Sequence, residues 1–103
     1  MVLNNLAWLL ATCPLPEIRD GAKAVDAGLR ACAIDQWEKA GSLDTLAAAY
    51  AETGDFQTAE KWAIKAIALS SEHTAALQEH LAFFRAKKPW REQSALGQSQ
   101  TAK

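Results

Sequence analysis

Apolar residues recur along this chain at three- and four-residue steps, the period of an amphipathic helix, and strand-favouring runs of Val, Ile and Thr are missing. The clearest stretch runs from Ser42 to Ser71, SLDTLAAAYAETGDFQTAEKWAIKAIALSS. Leu43, Leu46, Ala47 and Tyr50 line one face of a first helix. Gly54 follows the last periodic residue and can take the left-handed conformation that stops a helix. Asp55 is placed to cap a second helix carrying Phe56, Ala59, Ala63 and Ala66, with Trp62, Ile64, Ile67 and Leu69 on its flanks. Alanines at this spacing let two helix backbones lie close together.

The N-terminal third repeats the design. Leu3-x-x-Leu6-Ala7-x-x-Leu10 matches Leu43-x-x-Leu46-Ala47-x-x-Tyr50, and Asp20-x3-Ala24-x3-Gly28-x2-Ala31 matches Asp55-x3-Ala59-x3-Ala63-x2-Ala66. The interval from Leu3 to Leu43 exceeds that from Ala24 to Ala59, and the surplus is the connection Pro14-Leu15-Pro16-Glu17-Ile18-Arg19. Pro14 ends the first helix, because the residue before a proline is pushed out of helical space. Pro16 can open a short helical turn, Ile18 is expected to plug the core beneath it, and Asp20 caps the next helix. Gln36 to Gly41 connect the two copies, with Trp37 as a packing anchor, Ser42 as the cap of the third helix and Asp44 in its first turn.

A fifth helix is expected after Ser71, with Ser71 as its cap, Glu72 in its first turn, and Leu77, Leu81 and Phe84 on one face. Ala86-Lys87-Lys88-Pro89 ends it before any partner helix follows, so it serves as a cap on the second hairpin. Trp90 is read as folding back onto the helix end, the other reading being a motif shown to a partner. The Ser-, Gln- and Thr-rich remainder has almost nothing to bury.

The pattern Leu43-x-x-Leu46-Ala47-x-x-Tyr50-x3-Gly54-x-Phe56-x-x-Ala59-x3-Ala63-x2-Ala66 resembles one tetratricopeptide repeat, a helical hairpin of about 34 residues. It departs from the family pattern at Ala63, where an aromatic is usual, and at Ser71, where a Pro often closes the unit. The run LAWLLATCP followed by PEIRDGAKAV is similar to a bacterial variant with an extended loop inside the repeat. The resemblance implies an all-α, right-handed solenoid of two antiparallel hairpins plus a C-terminal capping helix. The expected domain covers residues 1–91, with repeats over about 2–35 and 42–70, a capping helix over about 72–87, and a disordered tail over 92–103.

Composition narrows the function. At 103 residues the chain is one domain, and its formal net charge of -1 gives no electrostatic case for nucleic acid or an anionic membrane. No apolar run approaches the roughly 20 residues that span a bilayer. MVLNNLAWLLATC lacks the Lys or Arg that opens a secretory signal, and Thr12 before Cys13 fits a lipoprotein cleavage site poorly. A cytoplasmic chain is therefore expected, with export left open.

No catalytic set is found. Cys13 and Cys32 do not form a disulfide framework and read as small buried thiols, with no His beside them. His73 and His80 are spaced too widely on one helix for a good metal pair and read as solvated. No phosphate-binding loop is present, and Arg85, Lys87, Lys88 and Arg91 read as a solvated helix end matched to the helix dipole. No enzyme activity, cofactor or metal is expected.

Function then falls to a surface. In the resembled family the first helices of successive repeats line a concave groove that holds a peptide or a partner helix. That resemblance maps the groove onto Asn4, Asn5, Trp8 and Thr12, then Asp44, Thr45, Ala48 and Glu52, then Gln78, Ala82 and Arg85. Asn5 stands where asparagines that hold a peptide backbone are often found, and the basic clamp of chaperone-tail binders is not matched. Trp8 reads equally as a hot spot or as core. The first helix is apolar almost all round, and its back face of Val2, Leu6, Leu9 and Leu10 is a second candidate surface, for a homodimer. The first reading is a non-enzymatic protein–protein interaction module. The alternatives are a homo-oligomerisation module, or a C-terminal regulatory or scaffold fragment of a longer repeat protein.

Overall fold

In a computed structural model, which describes residues 2–71 and 74–92, the chain forms five helices and, among those residues, no strand. They are α1 (Val2–Thr12), α2 (Gly21–Ile34), α3 (Ala40–Glu52), α4 (Phe56–Leu69) and α5 (Thr74–Arg85). Each packs on the next; α1 also packs on α3, and α3 touches α5. Both α1 and α5 therefore lie against α3.

Local chemistry sets the boundaries. The Asp20 carboxylate accepts from the Lys23 amide at 3.0 Å, and that of Asp55 from the Thr58 amide at 3.2 Å, so both caps form. Gly54, at φ +92, turns the chain between α3 and α4. Ile18 and Arg19 both donate to the Leu15 carbonyl, which closes the short turn after Pro14. At the end of α2, Gln36 and Trp37 are left-handed, with φ of 57 and 60. The Trp37 amide donates back to the Cys32 carbonyl at 2.8 Å, and the Trp37 ring stacks on Trp62 with centroids 5.2 Å apart. Two left-handed non-glycine residues are costly. The returned hydrogen bond and the stacked ring offset that cost.

Three local expectations are corrected. Ser42 does not cap α3, which starts at Ala40 with Lys39 at the cap position and no side-chain bond there. The left-handed turn places Asp35 beside Ser42, whose hydroxyl donates to the Asp35 carboxylate. Ile18 is not a plug, being 39% exposed. Arg19 turns inward in its place, its Nη1 donating to the Cys13 carbonyl at 2.8 Å. Ile64 and Leu69 are exposed rather than packed on the flanks of α4. Glu72 and His73 lie outside the described residues, as does the tail from residue 93.

The centre of the molecule is α3. Every residue from Ser42 to Ala49 is buried, as is Ala51, whereas α1 buries only Ala7, Ala11 and Thr12. The reason is side-chain size. Ala47, Ala48, Ala49 and Ala51 keep the rod thin, so neighbours approach from several sides. Ala24, Ala59 and Ala66 have no exposed surface on the facing helices. Gly28 extends the seam, because a Cβ there would lie 3.2 Å from Leu46 Cδ1. Ala59→Leu is expected to overpack this seam and lower stability by ~1–3 kcal/mol in urea denaturation.

Both cysteines are free and buried. The Cys32 thiol donates to the Ser42 carbonyl at 3.4 Å, and burial, helped by the Asp35 charge, pushes its pKa from 9.0 up to about 11. The folded state therefore holds this proton more tightly than the unfolded chain. The associated stability is present below pH 9 and is lost as pH rises towards about 11. Cys32→Ala should show a shallower stability loss over that window than the parent chain, as measured by denaturation at stepped pH. No described helix is long and apolar enough to cross a membrane.

Candidate functional site

The shared side of α1, α3 and α5 carries a pocket of about 560 Å³. Asn4, Asn5, Trp8 and Thr12 reach it from α1, Asp44 and Thr45 from α3, and His80 from α5. Helical spacing explains the first two sets: each falls on one stripe of its helix. The Thr12 hydroxyl donates to the Trp8 carbonyl at 2.7 Å and that of Thr45 to the Gly41 carbonyl at 3.0 Å, so both hydroxyl protons are engaged within their own helices.

Beneath the pocket sits a buried polar pair. Nδ1 of His80 lies 3.0 Å from both carboxylate oxygens of Asp44, and both side chains are 10% exposed. A carboxylate only accepts, so the imidazole carries its proton on Nδ1. The His80 ring is flanked by two indoles, with Trp8 at 5.6 Å and Trp90 at 4.3 Å between centroids. Trp90 also meets Phe83 edge-on at 4.8 Å. His80 is thus a structural hub rather than the solvated histidine that its spacing from His73 suggested. Its polarity gave no sign of this in the sequence, because the partner carboxylate lies thirty-six residues away in the chain.

No family model, curated protein or solved structure matches the chain.

The segment after α5 crosses the same side. Trp90 folds back as described, and Arg91 Nη1 approaches Glu52 Oε1 at 2.6 Å. The Glu92 amide donates to the Thr12 carbonyl at 2.8 Å, so Glu92 is tied to α1 instead of belonging to a loose tail. Glu52 is also approached by Arg19 Nε at 3.4 Å, which makes it a largely buried anion between two guanidinium groups. These are charge contacts, since neither Glu52 Oε1 nor Arg19 Nε aligns for a hydrogen bond. Asn4 Oδ1 and Trp90 Nε1 are likewise buried and unpartnered.

The remaining groove positions do not all join this site. Ala48 is buried and does not line it. Gln78, Ala82 and Arg85 belong to a different face, lining a pocket of about 760 Å³ with Ile64, Ile67 and Leu81 between α4 and α5. Leu77, His80, Leu81 and Phe84 are the buried stripe of α5, and Gln78 and Arg85 lie off that stripe. Arg85 meets Glu60 of α4 instead, at 3.5 Å. On the back of α1, Val2, Leu6 and Leu9 are 82%, 43% and 48% exposed, whereas Leu10 is partly buried against the core. Leu9 also reaches the rim of the first pocket. No group of three or more His, Cys, Asp or Glu that could hold a metal occurs among the described residues.

Proposed function

We propose that this chain is a non-enzymatic protein–protein interaction module of tetratricopeptide type. In this reading the five helices make a right-handed solenoid, two hairpins and a capping helix, and the side shared by α1, α3 and α5 is a groove for an extended peptide. The observation that carries it is the convergence of Asn4, Asn5, Trp8, Thr12, Asp44 and Thr45 with His80 around one open pocket. An aromatic face and several polar groups fixed by their own hydrogen bonds suit a ligand held by shape and backbone contacts.

Capture of a partner on the immobilised chain tests this. Trp8→Ala and Asn5→Ala should each weaken the captured complex by about tenfold or more, as removal of a central contact does. Equal capture by parent and variants would count against the groove.

A second reading is supported by a different face. Val2, Leu6 and Leu9 are exposed on one side of α1, and Leu3 and Ile34 border a further apolar hollow nearby. Self-association through this face would bury it. Leu6→Glu separates the two readings, because Leu6 is exposed and stands apart from the first pocket. It should abolish a dimer in light scattering and leave groove binding intact. A monomer at every concentration of the parent chain would remove the second reading.

A further inference from the structure

The residues that cross the groove are not a neutral strap. Three kinds of contact hold Pro89 to Glu92, and each reads a different part of the segment. His80 and Phe83 form an aromatic seat for the Trp90 ring, at 4.3 Å and 4.8 Å. Glu52, 16% exposed, supplies a negative charge 2.6 Å from the Arg91 guanidinium. The Thr12 carbonyl takes the Glu92 amide at 2.8 Å, a contact indifferent to side chain. Pro89 favours an extended entry for the chain ahead of Trp90. An aromatic seat, an anion one residue on, and a backbone acceptor after that make a reader of extended aromatic–basic peptides.

We propose that this end of the groove binds an extended peptide containing an aromatic residue followed by Arg, and that residues 89–92 are its resident ligand in cis. The proposal rests on the groove reading above and adds the ligand class and a self-competition. Tethered to α5, the segment meets its seat at an effective concentration on the order of millimolar. A partner must displace it, so apparent affinity falls by the fraction of time the seat is filled. The buried Trp90 Nε1 has no acceptor in the docked state, which limits how tightly the resident segment holds.

The test uses the full chain. Trp90→Ala combined with Arg91→Ala empties the seat without touching a groove side chain, and circular dichroism checks that the helices remain. The probe is the labelled peptide Lys-Pro-Trp-Arg-Glu, capped at both ends, followed by fluorescence anisotropy. It should bind the emptied variant about tenfold or more tightly than the parent chain. The peptides Lys-Pro-Ala-Arg-Glu and Lys-Pro-Trp-Gln-Glu should each bind it more weakly. Adding Glu52→Gln should erase the preference for Arg over Gln. Equal affinity for parent and emptied chain would overturn the cis competition. No binding to either would overturn the ligand class.

Selection of a random peptide library on the emptied variant separates this proposal from the groove reading itself. Ligands blocked by Trp8→Ala but lacking an aromatic–Arg pair overturn the proposal and spare the groove, while ligands insensitive to both Trp8→Ala and Asn5→Ala sink both. Should the double variant lose its helices, Arg91→Glu alone sets two carboxylates against each other at Glu52 and should raise probe affinity in the same direction.

Discussion

Phe84→Ala should lower the unfolding free energy by ~3–5 kcal/mol, the cost of removing a wholly buried aromatic ring. Phe84 heads the fully buried side chains by size and has no exposed surface. It belongs to the core shared by Ala59 and Ala63 of α4 and Leu81 of its own helix. Its neighbours are mostly alanines on rigid helices, which cannot extend to fill the space a benzyl group leaves. The cavity would therefore stay open, placing the loss towards the upper end of that range. For a domain with a typical stability of roughly 5–15 kcal/mol, that is a large share. The denaturation midpoint should fall at nearly constant slope. A loss of less than about 1 kcal/mol would mean that the ring is not enclosed.

Leu46→Ala should cost ~2–5 kcal/mol, and its effect should depend on Gly28. Leu46 is fully buried in a cluster with Cys32, Leu43, Ala66 and Leu77. Its Cδ1 occupies the space that a side chain at Gly28 would need, at 3.2 Å from the missing Cβ. Gly28→Val alone should crowd the seam and destabilise by ~1–3 kcal/mol. Placed in the Leu46→Ala background, the same change should be far better tolerated, because the valine methyls enter the vacated space. The two changes should then couple by about 0.5–3 kcal/mol in the favourable direction. Strict additivity would mean that α2 and α3 do not nest through this pair.

The helices themselves were legible because their determinants are local. Asp20, Asp55 and Gly54 act on residues within one turn, and the alanine spacing that predicts close packing is carried on each helix alone. The stripe of groove candidates on α1, with Asp44 and Thr45, was legible for the same reason, since helical period puts them on one side. What the sequence concealed was long-range. The pairing of His80 with Asp44 joins residues thirty-six apart, and the pocket that Gln78 and Arg85 line with α4 likewise exists only once the helices have packed. The thin, alanine-rich α3 took the centre, because burial on several sides needs small side chains more than greasy ones. The inward turn of Arg19 had no local signal either, since Glu52 becomes its neighbour only after α1, α2 and α3 have packed.

The site depends on α1 and α5 flanking α3 on one side, with the segment after α5 laid across them. Nuclear Overhauser contacts between aromatic rings report that arrangement without perturbing it. Cross-peaks are expected from Trp8 to His80, from Trp90 to His80 and from Trp90 to Phe83, matching centroid separations of 5.6, 4.3 and 4.8 Å. A Trp90 ring that contacts only its sequence neighbours, together with a His80 ring that shows no contact to Trp8, would contradict the shared face and everything argued from it.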